Sequence, residues 1–120
     1  MNDLNELACR YIAVWNEPDP QLRRTAIAQL FAPNAVHYTP SQEVHGLAEL
    51  EVRIATAYEK WVEPGVHAFR AVPNANGHHN AVRFNWEMVT QVSGEVDSVG
   101  FDFILLDDAG LITSDHQFID

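Results

Sequence analysis

The chain has 120 residues, of which 47% are apolar and 20% charged. This length and composition suit one folded domain with a hydrophobic core and exclude a wholly disordered chain. Seventeen acidic against seven basic residues give a formal net charge of −10, which repels phosphate backbones and predicts no nucleic-acid partner. No apolar stretch reaches the length of a membrane span, and the acidic amino terminus is unlike a signal peptide. We therefore expect a single domain over residues 1–120, cytoplasmic and without a membrane partner.

Apolar residues recur at helical spacing in three segments. The first helix is predicted over about residues 3–16, with Tyr11 on its apolar stripe. A second follows over about 20–32, where Asp19 and Pro20 mark its start, and a third over about 47–61. Two side chains in the first two helices, Cys9 and Leu22, are expected to be buried, Cys9 as an inert thiol.

Alternation with a period of two follows, typical of strands. The strands are predicted over residues 35–39, 66–72, 81–92, 96–106 and 111–119, with 40–46 and 74–80 as loops. Because short turns join the later strands, the sheet should be mostly antiparallel. Helices gathered on one face of such a sheet give the α+β class.

Several short motifs occur in a distinctive order. They are Arg10-Tyr11-Ile12, the run from Leu30 to Val36, His45-Gly46, Phe84-x-x-Glu87-Met88-Val89, and Asp102 followed by Gly110. Together they resemble the NTF2-like, or SnoaL-like, superfamily. The resemblance implies three amino-terminal helices packed in the concavity of a curved sheet, forming a cone around a pocket. It specifies a fold more than a function, since this fold hosts isomerases, dehydratases, cyclases and binding domains.

The enzyme of this fold that offers the closest comparison is ketosteroid isomerase, which uses a tyrosine and a protonated aspartic acid as oxyanion donors. The resemblance places Tyr11 and Asp102 at those two positions. Thr39 stands where that enzyme has its aspartate base, and Phe31 replaces a supporting tyrosine. Ketosteroid isomerase activity is therefore not predicted.

Asp102 also stands out without the resemblance, because it lies in the most apolar strand of the chain. Burial would raise its pKa and make it a hydrogen-bond donor. The alternative is a carboxylate paired with a helix N-terminus or with an arginine such as Arg70 or Arg83.

His37 shares a strand face with Thr39 and is the candidate base, since its ordinary pKa suits proton transfer. The alternative is a buried histidine bonded to a backbone carbonyl. In the last strand only one of Asp115 and His116 can point inward. The resemblance implies that Asp115 and Gln117 face the cavity, which makes Asp115 a second candidate carboxylate.

The remaining expectations concern the pocket and its surroundings. Its predicted lining comprises Trp15, Thr39, Val82, Phe84, Trp86, Met88 and Gln117. The other face of the strand over 81–92 is polar, and in the superfamily that sheet face often forms a dimer interface. The adjacent His78 and His79 point two ways and make a poor metal site, so no metal and no cofactor are expected.

The sequence is consistent with two functions. The first is a cofactor-independent proton-transfer enzyme, an isomerase, dehydratase or cyclase, acting on a small apolar carbonyl compound, with Asp102, Tyr11, His37 and Asp115 as catalytic residues. The second is a ligand-binding or dimerisation domain without catalysis. In either case we expect a small apolar ligand and a homodimer.

Overall fold

Three helices and a seven-stranded sheet make up the computed structural model, which describes residues 3–120. The helices are α1 (Leu4–Asn16), α2 (Pro20–Leu30) and α3 (Gly46–Ala57), the last continuing into a π-helical turn at Tyr58–Val62. The strands are β1 (Phe31–Tyr38), β2 (Glu43–His45), β3 (His67–Ala71), β4 (Asn76–His78), β5 (Ala81–Thr90), β6 (Val96–Leu106) and β7 (Ile112–Ile119).

The strands form one open sheet in the order β2-β1-β7-β6-β5-β3, with β4 paired to β5. Every pairing is antiparallel except that of β1 with β7, which is parallel. The predicted α+β class and mostly antiparallel sheet are therefore confirmed. No helix within residues 3–120 is long and apolar enough to cross a membrane.

Some predicted boundaries were wrong. The first strand begins at Phe31, directly after α2, rather than at residue 35. The backbone N–H of Phe31 still donates to Ile27 at the helix end, so one residue serves both elements. Two short strands, β2 and β4, occupy segments predicted as loops, because each lies against a longer neighbour that supplies its hydrogen bonds.

Two predicted burials were also wrong. Cys9 is exposed, because the buried side of α1 runs through Ala8, Tyr11 and Ile12 and turns Cys9 towards solvent. In α2, Leu22 is 57% exposed and Arg23 is buried instead. The Arg23 guanidinium donates to the carbonyl of Glu17, which satisfies its charged N–H groups inside the fold.

The sheet directs alternate side chains towards the helices and away from them. On β6, Gly100, Asp102 and Ile104 are buried, whereas Phe103 and Leu105 are more than a third exposed. The same alternation buries Val82, Phe84 and Trp86 on β5. These inward side chains pack with α1, α2 and α3 into one hydrophobic core.

Gly100 fixes the position of Trp86 in this core. The two residues are direct partners in the pairing of β5 with β6. A Cβ at position 100 would come closer than 3.0 Å to the Trp86 ring and to the Phe118 carbonyl oxygen. The missing side chain thus provides the space in which the indole ring lies.

Gly100→Ala should therefore lower the free energy of unfolding by about 1–3 kcal/mol, the usual cost of overpacking a filled core. Urea unfolding of both proteins measures the difference. Val99→Ala is the control, since that neighbouring side chain is 39% exposed on the other face of β6. Equal stability of Gly100→Ala and the unaltered chain would contradict this role.

Candidate functional site

A cavity of about 180 Å³ lies between the helices and the concave face of the sheet. Its apolar wall is formed by Ile12, Trp15, Trp61, Phe69, Trp86 and Met88. Its polar wall is formed by Tyr11, Arg53, Ser98 and Gln117. Ile119 also lines the cavity and is 52% exposed, so the cavity opens to the surface near the end of β7.

A cluster of buried polar side chains lies behind Tyr11. The Tyr11 hydroxyl is 2.9 Å from Asp102 Oδ2 and 2.5 Å from Asp115 Oδ2. His37 Nδ1 is 2.8 Å from the same Asp115 oxygen, and Trp86 Nε1 donates to Asp102 Oδ1 at 2.8 Å. None of these five side chains is more than 6% exposed. We call this set the buried network.

The number of hydrogens decides the charge state of the buried network. A tyrosine hydroxyl carries one hydrogen and can donate it to one acceptor only. Because Tyr11 contacts two carboxyl groups, the second contact requires a proton on one of them. A carboxylic acid then donates to the Tyr11 oxygen, and Tyr11 donates to the carboxylate.

The surroundings indicate which carboxyl group holds the proton. Burial, followed by the negative charge of Asp115, raises the pKa of Asp102 well above its usual value. Burial also raises the pKa of Asp115, but hydrogen bonding within the buried network and the charge of Arg53 oppose that rise. We therefore assign the proton to Asp102 and the negative charge to Asp115.

His37 completes the buried network as a neutral imidazole. Burial lowers its pKa from 6.5 to about 4, so its contact with Asp115 is a hydrogen bond rather than an ion pair near neutral pH. The carboxylate accepts from Nδ1–H, which leaves Nε2 as the acceptor nitrogen. Within the described part of the chain, Nε2 is buried and has no hydrogen-bond partner.

Arg53 on α3 brings a positive charge to the cavity wall. Its Nη2 donates to Gln117 Oε1 at 3.1 Å, and the guanidinium lies over the Trp15 ring at 5.2 Å. Burial lowers its pKa, and the negative charge of the buried network acts in the opposite direction. The cation therefore lies close enough to the buried network to interact with its negative charge.

His37, Asp102 and Asp115 also have the residue types of a metal site, with one possible ligand atom from each within 4.8 Å of the others. However, Tyr11 contacts both Oδ2 atoms, and Asp115 Oδ2 also accepts from His37. A metal ion would have to displace these hydrogen bonds and the proton on Asp102. The donor set therefore fits a proton network better than a metal.

The structure brings the four predicted catalytic residues together in the buried network. Among the predicted lining residues, Trp15, Trp86, Met88 and Gln117 do line the cavity. The structure places Val82 and Phe84 in the core beside it. Thr39 lies at the end of β1, where its Oγ1 accepts from the Gln42 N–H and closes the turn into β2.

The sequence left an alternative partner open for Asp102 and another for His37, and the structure shows different contacts for both residues. Arg70 pairs with Glu87 at 2.7 Å and not with Asp102, whose partners are Tyr11 and Trp86. His37 bonds to a carboxyl group rather than to a backbone carbonyl.

Arg53 is the functional candidate that the sequence analysis missed. It lies three residues after Leu50 and four before Ala57, and both of these are buried on one side of α3. Residues at those spacings share a helix face. The sequence feature that could have identified Arg53 is therefore a charged residue at the edge of an apolar helix face.

Comparisons with known proteins agree with this architecture. Residues 8–114 match the model of the SnoaL-like domain, and the chain belongs to that family. A candidate isomerase of the SnoaL-like family from Agrobacterium tumefaciens is 29% identical with a TM-score of 0.89, over 100% of this chain and 99% of the other. No curated protein sequence matches.

Two more distant structures share the fold alone. A candidate polyketide cyclase from Sinorhizobium meliloti is 12% identical with a TM-score of 0.70, over 93% of each chain. A SnoaL-like protein of unknown function from Burkholderia thailandensis is 10% identical with a TM-score of 0.73, over 98% of this chain and 94% of the other.

The protonated state of Asp102 predicts how stability depends on pH. Above the unfolded-state pKa of 3.8, the folded chain holds a proton that the unfolded chain releases. The free energy of unfolding then falls by up to about 1.4 kcal/mol per pH unit until the pH reaches the folded-state pKa. Asp102→Asn removes this loss and keeps a donor for Tyr11 and an acceptor for Trp86.

Urea unfolding from pH 4 to pH 8 should therefore show the Asp102→Asn protein gaining stability relative to the unaltered chain as the pH rises. Asp108→Asn, which removes a carboxyl group from an exposed turn, controls for the loss of one charge. A stability difference that stays constant with pH would mean that Asp102 is ionised in the folded chain.

Proposed function

We propose that this chain binds a small apolar carbonyl compound in the cavity and transfers a proton on it without a cofactor, as isomerases, dehydratases and cyclases do. The observation that carries the proposal is the buried network, which joins an acid, a carboxylate and a neutral imidazole to Tyr11. Tyr11 belongs to both the network and the cavity wall. Clustered groups with shifted pKa values beside a cavity are typical of acid–base sites.

The cavity limits the size of the compound. Its volume of about 180 Å³ is close to that of a protein cavity of ~150 Å³ known to bind benzene. Pockets that bind drug-sized ligands usually have a volume of roughly 300 Å³ or more. A compound with one ring therefore fits the closed part of the cavity, and a larger compound has to extend through the opening beside Ile119.

Tyr11 and Asp102 stabilise the negative charge that develops on the carbonyl oxygen. In this proposal the Tyr11 hydrogen turns from Asp115 to that oxygen, while the acid hydrogen of Asp102 stays on the Tyr11 oxygen. The two donors act in series. The protein holds the Tyr11 and Asp102 oxygen atoms in place before the substrate binds, and such preorganisation is the main source of this stabilisation. Asp102 itself is held by the indole of Trp86.

His37 acts as the base. Its Nδ1–H is held by Asp115, so its free Nε2 is available to take the proton from the carbon beside the carbonyl and return it at a new position. Asp115, whose Oδ1 has no hydrogen-bond partner among the described residues, is the second candidate base. Trp15 packs against His37 and lines the cavity, so its indole has to move for the substrate to reach His37.

A second function is favoured by one specific observation. His37, Asp102 and Asp115 are completely buried and hydrogen-bonded within the network. A chain in which this network served only the fold would bind the ligand without altering it. The two functions differ in whether the bound compound exchanges protons.

Exchange of solvent deuterium into small enolisable ketones, cyclic and aromatic, separates these functions. The protein should accelerate exchange above the buffer rate for at least one ketone that it binds. Asp102→Leu, which removes the hydrogen-bond donor beside Tyr11, should lower that rate about 100-fold, as the loss of one oxyanion donor does. Nuclear magnetic resonance follows both the exchange and the binding.

His37→Gln keeps a donor for Asp115 but has no basic nitrogen, so it should reduce exchange to the buffer rate. The matched control is His78→Gln in the exposed hairpin, which should exchange at the rate of the unaltered chain. Ketones that bind while exchanging only at the buffer rate would overturn catalysis and leave the binding function.

We further propose that the chain forms a homodimer through the outer face of the sheet. Phe103, Leu105 and Phe118 are each more than a third exposed there. Phe101 stacks on Phe118 with ring centres 4.6 Å apart, which extends the same surface. Contiguous exposed apolar surface of this kind marks protein interfaces, and a second copy presents a matching face around a two-fold axis.

Phe103→Glu places a charge in that surface and should convert the dimer to a monomer. Light scattering after size-exclusion chromatography should give twice the chain mass of 13.5 kDa for the unaltered protein and the single mass for the variant. Val92→Glu is the control, because Val92 is 96% exposed in the turn between β5 and β6. A dimer that survives Phe103→Glu would contradict this interface.

A further inference from the structure

We infer that the ligand of this cavity carries a carboxylate, or an equivalent monoanionic pair of oxygen atoms, that binds Arg53. This inference rests on the proposed binding function and specifies the class of compound bound. It is carried by the Arg53 charge on the cavity wall and by two donor N–H groups that have no acceptor within residues 3–120.

Arg53 has no carboxylate partner of its own among the residues that the structure describes. Within the described part of the chain, its one hydrogen bond goes to the neutral amide of Gln117, and no acidic oxygen lies within the 4.0 Å of an ion pair. Arg24 and Arg70 at the surface, by contrast, each pair with a glutamate. With 17 acidic residues in the sequence, an arginine left unpaired at a cavity indicates that the cavity supplies the anion.

Because Arg53 is partly buried, leaving its guanidinium without an anionic partner costs free energy. Removing a guanidinium from water disfavours its charge, and burial lowers the Arg53 pKa accordingly. Its Nε atom is shielded from solvent and has no acceptor in residues 3–120. A bound anion would accept hydrogen bonds from this fork and offset the cost of burying the cation.

Trp15 supplies the second unsatisfied donor. Its Nε1 is buried and lacks an acceptor within the same described residues. The Arg53 guanidinium lies over the Trp15 ring, and both residues line the cavity. The two oxygen atoms of a carboxylate could accept from both residues once the side chains adjust, while the ring of the ligand contacts the aromatic wall.

The composition of the wall favours a monoanion over a phosphate. Among the described residues that line the cavity, Arg53 is the one cationic side chain, and the others are apolar or neutral. A phosphate carries up to two charges and usually binds several cationic or backbone donors. One arginine among aromatic rings matches one carboxylate on an apolar ring.

Arg53 has an alternative role that needs no ligand. Its charge lowers the pKa of Asp115, so it could serve only as a counter-charge to the buried network. In that case it would not discriminate between a charged and a neutral compound of equal shape. Benzoate and benzamide form such a pair, and each carries one ring.

Calorimetric titration at pH 7 with benzoate, benzamide and the uncharged ring compound toluene tests the inference. The unaltered chain should bind benzoate at least tenfold more tightly than benzamide. Arg53→Met should lose this preference by weakening benzoate alone, and Arg53→Lys should retain part of it. Arg10→Met, on the exposed side of α1, is the control and should keep the full preference. Circular dichroism verifies that each variant is folded.

The outcomes separate this inference from the proposed function. Equal affinity for the two compounds, or a preference for benzoate that survives Arg53→Met, would overturn the inference and leave the apolar binding site intact. If benzoate, benzamide and toluene all fail to bind, the binding function itself is overturned, and the inference with it.

Discussion

The hydroxyl of Tyr11 contacts two carboxyl groups but has one hydrogen to give. This imbalance forces one carboxyl group to remain protonated, and the charge states of its neighbours follow from it. Asp102 donates to Tyr11, Tyr11 donates to Asp115, and the remaining negative charge accepts a further hydrogen bond from neutral His37. The single negative charge, on Asp115, thus accepts hydrogen bonds from Tyr11 and His37. These bonds lower the free-energy cost of burying it in the core.

The same contacts join distant parts of the chain. Tyr11 belongs to α1, His37 to β1, Trp86 to β5, Asp102 to β6 and Asp115 to β7. The strand register keeps these groups on one face, since Asp115 is paired with His37 on one side and with Ile104 on the other. The buried network therefore fastens the first helix to the centre of the sheet. The cavity beside it depends on this attachment, because α1 contributes Tyr11 and Trp15 to the wall.

Much of this arrangement could be predicted from sequence. Alternation placed Asp102 on the same face of β6 as Gly100 and Ile104, and the family resemblance indicated that this face lies towards the pocket. Helical spacing placed Tyr11 on the apolar stripe of α1. Alternation could not decide between Asp115 and His116, because either choice gives an alternating strand; the family resemblance indicated Asp115. The start of β1 was missed because no glycine or proline separates Leu30 from Phe31. Arg53 was missed because the stripe of α3 was defined by apolar residues, whereas its long side chain reaches the cavity from the stripe's edge.

A neutron crystal structure near neutral pH tests the account most directly, because it locates the hydrogens of the buried network. The account predicts hydrogen on an Asp102 oxygen facing Tyr11, on the Tyr11 oxygen facing Asp115, and on His37 Nδ1, with none on Asp115 or on His37 Nε2. Ionised Asp102 and Asp115 beside a doubly protonated His37 would contradict it. In that arrangement the network would be a buried ion pair, with no carboxylic acid to donate to Tyr11 and no neutral imidazole to accept a proton.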